Sequence, residues 1–238
     1  MKAIVLAAGR GARMRPLSDA MPKPLLDVHG RPLIEWHLEA LAAGGVREVV
    51  INTAWLEEQI VARIGDGSRF GLRVAYSLEG RDHGGALETA GGIAKALPLL
   101  GDAFWVVSGD VYAPGFRFGR AAFDAFVASG RLGRLWLVPN PAFHPRGDFG
   151  LDAEGLGLAE GTGPDGQRWT YANIALLRAE MFAGIAPGTP AKLAPLLYAG
   201  MRERRIGAEV WRGEWENVGT PAQLEALNAG SPPAAPRP

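Results

Sequence analysis

Cysteine is absent from the 238 residues, which excludes a disulfide framework, a thiol nucleophile and cysteine-ligated zinc. Histidine is nearly as scarce: His29, His37, His83 and His144 are the only four, and none pair at the spacing of a helical zinc motif. Neither sign of charge is in excess, because 25 basic residues face 25 acidic ones. No global field therefore draws the chain onto nucleic acid or an anionic membrane. No apolar run approaches the roughly 18 residues of a membrane-spanning helix. Met1-Lys2 opens directly onto a strand-like segment and not onto a signal peptide. The expectation is a cytoplasmic protein with a small-molecule substrate and neither a nucleic-acid nor a membrane partner. Lysine is also rare, with four (Lys2, Lys23, Lys95, Lys192) against 21 arginines. A compact ammonium serves better than a flat guanidinium fork against a phosphate whose geometry changes during reaction, so Lys23 and Lys192 stand out.

Against these absences stand 47% hydrophobic residues, 33 glycines and 18 prolines, the mix of a turn-rich globular chain able to bury one sizeable core. Ala3 to Ala8 is a short apolar run stopped by Gly9 and reads as a buried strand. Pro32 stands where a helix can begin, and Leu33, Ile34, His37, Leu38 and Leu41 recur at helical spacing until Gly44-Gly45. Strands over 46–52, 72–77 and 103–108 then alternate with helices over 56–64 and 87–100. A helix near 121–128 and a strand over 132–138 follow. Such alternation predicts a parallel sheet covered by helices on both faces, with ligands at the carboxyl ends of its strands. From Gly147 to Leu177 the pattern is glycine-studded and alternating, which predicts antiparallel strands. Helices over 179–185 and 193–205, a strand over 208–212 and a helix over 221–229 complete the chain. The expected layout is one α/β domain over 1–230, without a linker, and a disordered tail over 231–238 that contains four prolines.

The segment Leu6-Ala7-Ala8-Gly9-Arg10-Gly11-Ala12-Arg13-Met14-Arg15-Pro16-Leu17, followed by Pro22-Lys23-Pro24-Leu25, carries the chemistry. It is not a dinucleotide fingerprint, because Met14 stands where the third glycine would fall, and no Gly-Lys-Ser/Thr makes it a Walker loop. Glycines at a strand end still let backbone N–H groups close around phosphate oxygens, with Arg13, Arg15 and Lys23 as nearby cations. Asp110 closes the apolar strand Phe104-Trp105-Val106-Val107. Its carboxylate is expected to project into the same cleft, where a hard cation such as Mg²⁺ would take one or two carboxylates with phosphates and water.

Taken together, Leu6 to Leu17 and Lys23-Pro24 resemble the signature of the sugar-nucleotidyltransferases, and the likeness continues through Leu87 to Gly92, Ser108-Gly109-Asp110 and Trp215 to Thr220. The resemblance implies a Rossmann-like three-layer α/β/α fold with a small antiparallel sugar-binding part. It implies transfer of a nucleotidyl group from a nucleoside triphosphate to a sugar 1-phosphate with release of pyrophosphate, using Mg²⁺. Such a reaction consists of positioning and charge neutralisation and needs no nucleophilic side chain. By the same likeness Arg13, Lys23 and Asp110 act at the reacting phosphates. Leu6, Ala8, Gly9, Gly11, Arg13, Lys23, Glu79, Thr89 and Gly91 hold the nucleotide, with Glu79 and its loop over the base. Asp110 and Asn217 hold the metal, although relatives carry an aspartate at the position of Asn217, and Glu216 would face the opposite side of its strand. Ser108 stands where many relatives have asparagine.

The length leaves room for the catalytic domain and little else. Arg146-Gly147-Asp148-Phe149 and Lys192 to Leu197 resemble the branch that joins UTP to N-acetylmuramic acid 1-phosphate in peptidoglycan recycling. Ser108, Asp148, Asn173 and Lys192 are its candidate sugar contacts, with Lys192 or Arg146 facing the lactyl carboxylate. Asp148 as a turn residue, Asn173 as a strand-end amide and Lys192 as a helix start stand equally open; the runner-up function is a mannose- or glucose-1-phosphate nucleotidyltransferase, and behind it comes a weakened sugar-nucleotide binding or regulatory module. Oligomeric state has no sequence signal.

Overall fold

The computed structural model describes residues 1–232, so most of the tail expected over 231–238 lies outside the described residues. The short apolar runs form a seven-stranded sheet: β1 (Lys2–Ala7), β2 (Glu48–Thr53), β3 (Arg73–Leu78), β4 (Ala103–Ser108), β5 (Gly133–Val138), β6 (Thr170–Arg178) and β7 (Ile206–Val210). Their order across the sheet is β7-β5-β6-β4-β1-β2-β3. Every neighbouring pair is parallel except those that β6 makes with β4 and β5, which is the mostly parallel α/β arrangement expected.

The longer helices are α1 (Leu33–Ala43), α2 (Glu57–Ile64), α3 (Glu88–Ala96), α4 (Arg120–Ser129), α5 (Leu193–Arg202) and α6 (Pro221–Ala229). Alternation along the strands divides the core into two layers. Val5, Ile51, Val107 and Trp136 pack with α1, α2 and α4, whereas Ile4, Val50, Val106 and Leu135 pack with α3 and α5. Because both faces are covered, the strands read as continuous apolar runs and not as alternating ones. A third cluster, including Met14, Val28, Tyr112, Val218 and Leu224, anchors α6 beneath the glycine loop. Thr220 caps α6 by accepting from the Gln223 N–H. Thr220→Ala is therefore expected to cost about 1 kcal/mol of unfolding free energy, readable as a lower urea midpoint at unchanged slope.

Three helix expectations shift. The helix expected over 87–100 gives way after Ala96 to a 3-10 turn at Leu97–Leu99, because Pro98 has no N–H to donate backwards. The helix over 179–185 shrinks to the 3-10 turn Ala179–Phe182. The helix from Leu193 stops at Arg202, and Arg204 takes a positive φ of 57°. Between Gly147 and Leu177 only the small pair Gly150–Leu151 with Gly157–Leu158 stands apart. β6 enters the main sheet because Ala172, Ile174, Ala175, Leu176 and Leu177 are all fully buried, which demands cover on both faces. Among the described residues no helix is long and apolar enough to cross a membrane.

The sheet order sets the position of the site. After β1 the chain lays β2 and β3 on one side and returns with β4 on the other. The loops leaving β1 and β4 therefore part, opening a crevice at the strands' carboxyl ends.

Candidate active site

The crevice begins where β1 ends. Gly11 has φ +66°, a left-handed conformation that a β-carbon resists, and it turns the chain into the short 3-10 helix Ala12–Met14. The Ser18 hydroxyl donates to the Gly11 carbonyl at 2.8 Å and fixes the turn. At Gly9 a β-carbon would meet no protein atom within 4 Å, so the loop backbone is open to an anion there. The cavity at this point has a volume of about 480 Å³ and is lined by Leu6, Ala8, Gly9, Gly11, Arg13, Lys23, Asn52, Thr89, Ser108 and Asp110, among others. Arg15 does not join Arg13 and Lys23: it is exposed and pairs with Asp19 at 3.1 Å.

Lys23 lies in a tight turn between Pro22 and Pro24 and is only 7% exposed. Its Nζ donates to Asp110 Oδ2 at 2.7 Å, while the Ser108 hydroxyl donates to Oδ1 at 2.7 Å. Burial works to raise the Asp110 pKa, but the Lys23 charge and these two hydrogen bonds outweigh it and hold the carboxyl below its ordinary 3.8. Asp110 is thus a carboxylate, oriented from both sides. Ser108, the shorter residue at this position, aims that carboxylate.

Directly after Asp110, Val111–Tyr112 pairs antiparallel with Glu216–Asn217, and the Val218 N–H donates to the Asp110 carbonyl at 3.0 Å. This ribbon brings the Asn217 backbone beside Asp110, with the Asp110 side chain lining the first cavity and that of Asn217 an adjoining one. Asn217 Oδ1 is buried and has no hydrogen-bond partner, while Glu216, on the alternate side, meets Gln223 and has its pKa raised by burial. Among the described residues no three His, Cys, Asp or Glu side chains converge. A carboxylate and an unpartnered amide oxygen nevertheless suit a hard divalent cation that takes its remaining ligands from phosphate and water.

A second cavity of about 570 Å³ adjoins the first, and Leu6, Arg13, Glu88, Thr89 and Ser108 line both. Asp148, Asn173, Lys192 and Asn217 line it as well. Asn173 sits at φ +57° in an irregularity of β6 between Tyr171 and Ala175. Such a bulge re-aims a side chain, and asparagine tolerates the left-handed backbone. Asp148 Oδ2 accepts from the Tyr171 N–H at 2.8 Å, and Oδ1 lies 3.0 Å from His144 Nε2. Lys192 immediately precedes α5, and the neighbouring Ala191 carbonyl accepts from the Ala90 and Gly91 N–H groups, tying this segment to α3. Arg146 is exposed and does not line the cavity.

Two expected nucleotide contacts are displaced. Glu79 is 0% exposed, inside the short helix Glu79–His83, and lines neither cavity; it lies behind the cleft wall and not over a base. Gly91 is buried in α3, where a β-carbon would come within 2.4 Å of the Thr189 carbonyl, so it serves close packing. Residues that sequence reasoning passed over are Asn52, Glu88, His144, Phe143, Tyr171 and Tyr198. Asn52 was detectable, as a polar residue at the carboxyl end of an otherwise apolar strand. The aromatic group was not, because it comes from three separated segments.

A nucleotidyl transferase family model matches residues 2–139. The chain is 47% identical over 96% of its length, and 97% of the other protein's, to N-acetylmuramate alpha-1-phosphate uridylyltransferase of Neisseria meningitidis serogroup B. It is 32% identical, over 95% of both chains, to the protein of the same name from Caulobacter vibrioides. A Bacillus anthracis crystal structure, assigned as a glucose-1-phosphate thymidylyltransferase and holding sucrose, superposes with a TM-score of 0.80 at 19% identity, covering 96% of this chain and 94% of that one. That last likeness speaks for the fold, and the sequence relatives speak for descent: the chain belongs to the nucleotidyl transferase family.

Proposed function

We infer that the protein transfers a uridylyl group from UTP to N-acetylmuramic acid 1-phosphate, releasing pyrophosphate. The observation that carries the reading is the pair of adjoining cavities at the β1/β4 crevice. One is walled by a glycine loop with Lys23 and Asp110, and the other by Asp148, Asn173 and Lys192. The 47% identity to the Neisseria meningitidis protein named N-acetylmuramate alpha-1-phosphate uridylyltransferase supports this choice of sugar phosphate and of uridylyl group.

In the reaction a phosphate oxygen of the sugar 1-phosphate forms a bond to the α-phosphorus of UTP, and the bond from that phosphorus to the β-phosphate oxygen breaks. The protein's part in this reading is positioning and charge. Loop N–H groups around Gly9 and Gly11 hold phosphate oxygens, and Arg13, which lines both cavities, reaches anions in either. Lys23 lowers the repulsion between two polyanions at the point where charge develops. Asp110 and Asn217 are the residues that would hold Mg²⁺, which would neutralise the triphosphate and its leaving pyrophosphate. Asp148, oriented by Tyr171 and His144, and Asn173 accept and donate hydrogen bonds to the sugar, and Lys192 faces its lactyl carboxylate.

Pyrophosphate release across UTP, dTTP, GTP and CTP, each with the 1-phosphates of N-acetylmuramic acid, N-acetylglucosamine, glucose and mannose, tests the reading. Highest catalytic efficiency with any other pair overturns it. A second test concerns the metal. Asn217→Asp adds a carboxylate to the hard-ion site and is expected to lower the Mg²⁺ concentration for half-maximal activity by roughly tenfold. Without Mg²⁺ the same variant should melt below wild type, because a carboxylate then sits where the buried Asn217 amide oxygen has no partner, and Mg²⁺ should restore it. Unchanged Mg²⁺ dependence in both measurements removes position 217 from the metal site.

A further inference from the structure

We propose that Glu79 is the positioning residue of the nucleotide cavity, a buried tie that holds its two walls in register without touching the nucleotide. The inference rests on the reading above that this cavity takes the triphosphate. Glu79 is completely buried. Its Oε1 accepts from Asn52 Nδ2 at 2.6 Å, and its Oε2 accepts from the Leu87 N–H at 2.7 Å. Asn52 Oδ1 in turn accepts from the Ala7 N–H at 2.9 Å. One chain of hydrogen bonds therefore runs from the end of β1, through β2, to the turn that opens α3. Ala7 and Asn52 line one side of the cavity, and Ala86, Glu88 and Thr89, which flank Leu87, line the other.

Two further features belong to the same device. Glu88 has φ +60°, a left-handed backbone unfavourable for a residue with a long side chain and one that persists only where neighbours over-determine it. The Leu87 N–H to Glu79 bond is the adjacent restraint. At Gly92 a β-carbon would lie 2.5 Å from Glu79 Oε1 and 2.7 Å from Asn52 Nδ2, so that glycine is the space the tie occupies. The consecutive glycines of α3 thus have separate causes, Gly91 against Thr189 and Gly92 against Glu79.

The position requires a carboxylate because two donors converge on it, and an amide offers only one acceptor. In Glu79→Gln a donor must face either Leu87 N–H or Asn52 Nδ2. If Asn52 turns over to answer it, the mismatch moves to Ala7 N–H. A second substitution resolves all three contacts: Asp at position 52 accepts from both Ala7 N–H and Gln at 79, whose oxygen is then free for Leu87 N–H.

The experiment compares wild type, Glu79→Gln and the double variant Glu79→Gln with Asn52→Asp. It uses amide hydrogen exchange at Ala7 and Leu87 in the ligand-free protein, then steady-state kinetics with the triphosphate that the wild type turns over. Glu79→Gln is expected to speed exchange at Leu87 or, where Asn52 turns over, at Ala7, and to raise KM for the triphosphate by about tenfold, as an unmet buried donor does. KM for the sugar phosphate should change less than twofold and kcat less than KM, and the double variant should recover most of the loss. A purely structural role would lower the melting temperature and active fraction without this split in KM. Unchanged exchange at both Leu87 and Ala7, an unchanged triphosphate KM, or a double variant no better than the single one overturns the assignment. A wild type inert with every triphosphate overturns the functional reading instead, while the exchange data still decide whether the tie exists.

Discussion

Lys23→Ala lowers kcat/KM by about a hundred- to a thousandfold, the expected effect of removing one charged donor from a water-poor phosphate site. It also weakens the fold, which the sequence alone did not foretell. Lys23 is the counter-charge of Asp110 at 2.7 Å, and its removal leaves a carboxylate held chiefly by Ser108. Asp110 remains 30% exposed at its side chain, so the loss stays below that of a fully buried pair, at about 2 kcal/mol. The protein remains folded, and the two effects are separable. The sign with pH follows from the depressed Asp110 pKa. Its contribution is fully present above the ordinary 3.8 and is lost as pH falls through the lower folded value. Urea unfolding at pH 7 and again in acid therefore shows the wild type converging on Lys23→Ala as the pH falls. Lys23→Arg does not rescue turnover, because the Lys23 side chain is buried in the turn between Pro22 and Pro24 with its single ammonium 2.7 Å from Asp110 Oδ2, and a guanidinium is larger and flatter. Turnover of Lys23→Ala near wild type sinks the assignment.

N-acetylmuramic acid 1-phosphate is preferred over N-acetylglucosamine 1-phosphate by roughly 10- to 150-fold in kcat/KM with UTP, the equivalent of a charge-assisted hydrogen bond of roughly 1.5–3 kcal/mol to the lactyl carboxylate. Lys192 is the cation proposed for it, since it lines the second cavity while Arg146 does not. Lys192→Ala is accordingly expected to erase most of the preference by acting on the muramic substrate while sparing the other. Equal efficiency with both sugars refutes the muramate reading. A preference surviving in Lys192→Ala moves the carboxylate to another partner, and Arg13 and His144 also line that cavity.

How far the sequence reached follows from the range over which each feature is set. The order of strands and helices through Ser108 was legible because each element is a local pattern: an apolar run, a helical recurrence, a glycine or proline stop. The glycine loop was legible for the same reason, since Gly9, Gly11 and Lys23 act within one short stretch of chain. The motifs also announced Asp110 and Asn217 separately. Only the tertiary structure decided what joins them. The ribbon that sets Asn217 beside Asp110, the Lys23 to Asp110 pair and the insertion of β6 between β4 and β5 depend on strand pairings between distant segments. Glu79 marks the limit most sharply. Sequence placed it over the base because its loop precedes Leu87 to Gly92, yet the fold turns the carboxylate inward to two donors, one on β2 and one at Leu87. Local pattern determines which backbone an element adopts. Which side chain faces a cleft and which stands behind its wall is settled by packing in three dimensions, because burying a carboxylate is tolerable only where donors from other elements already wait for it.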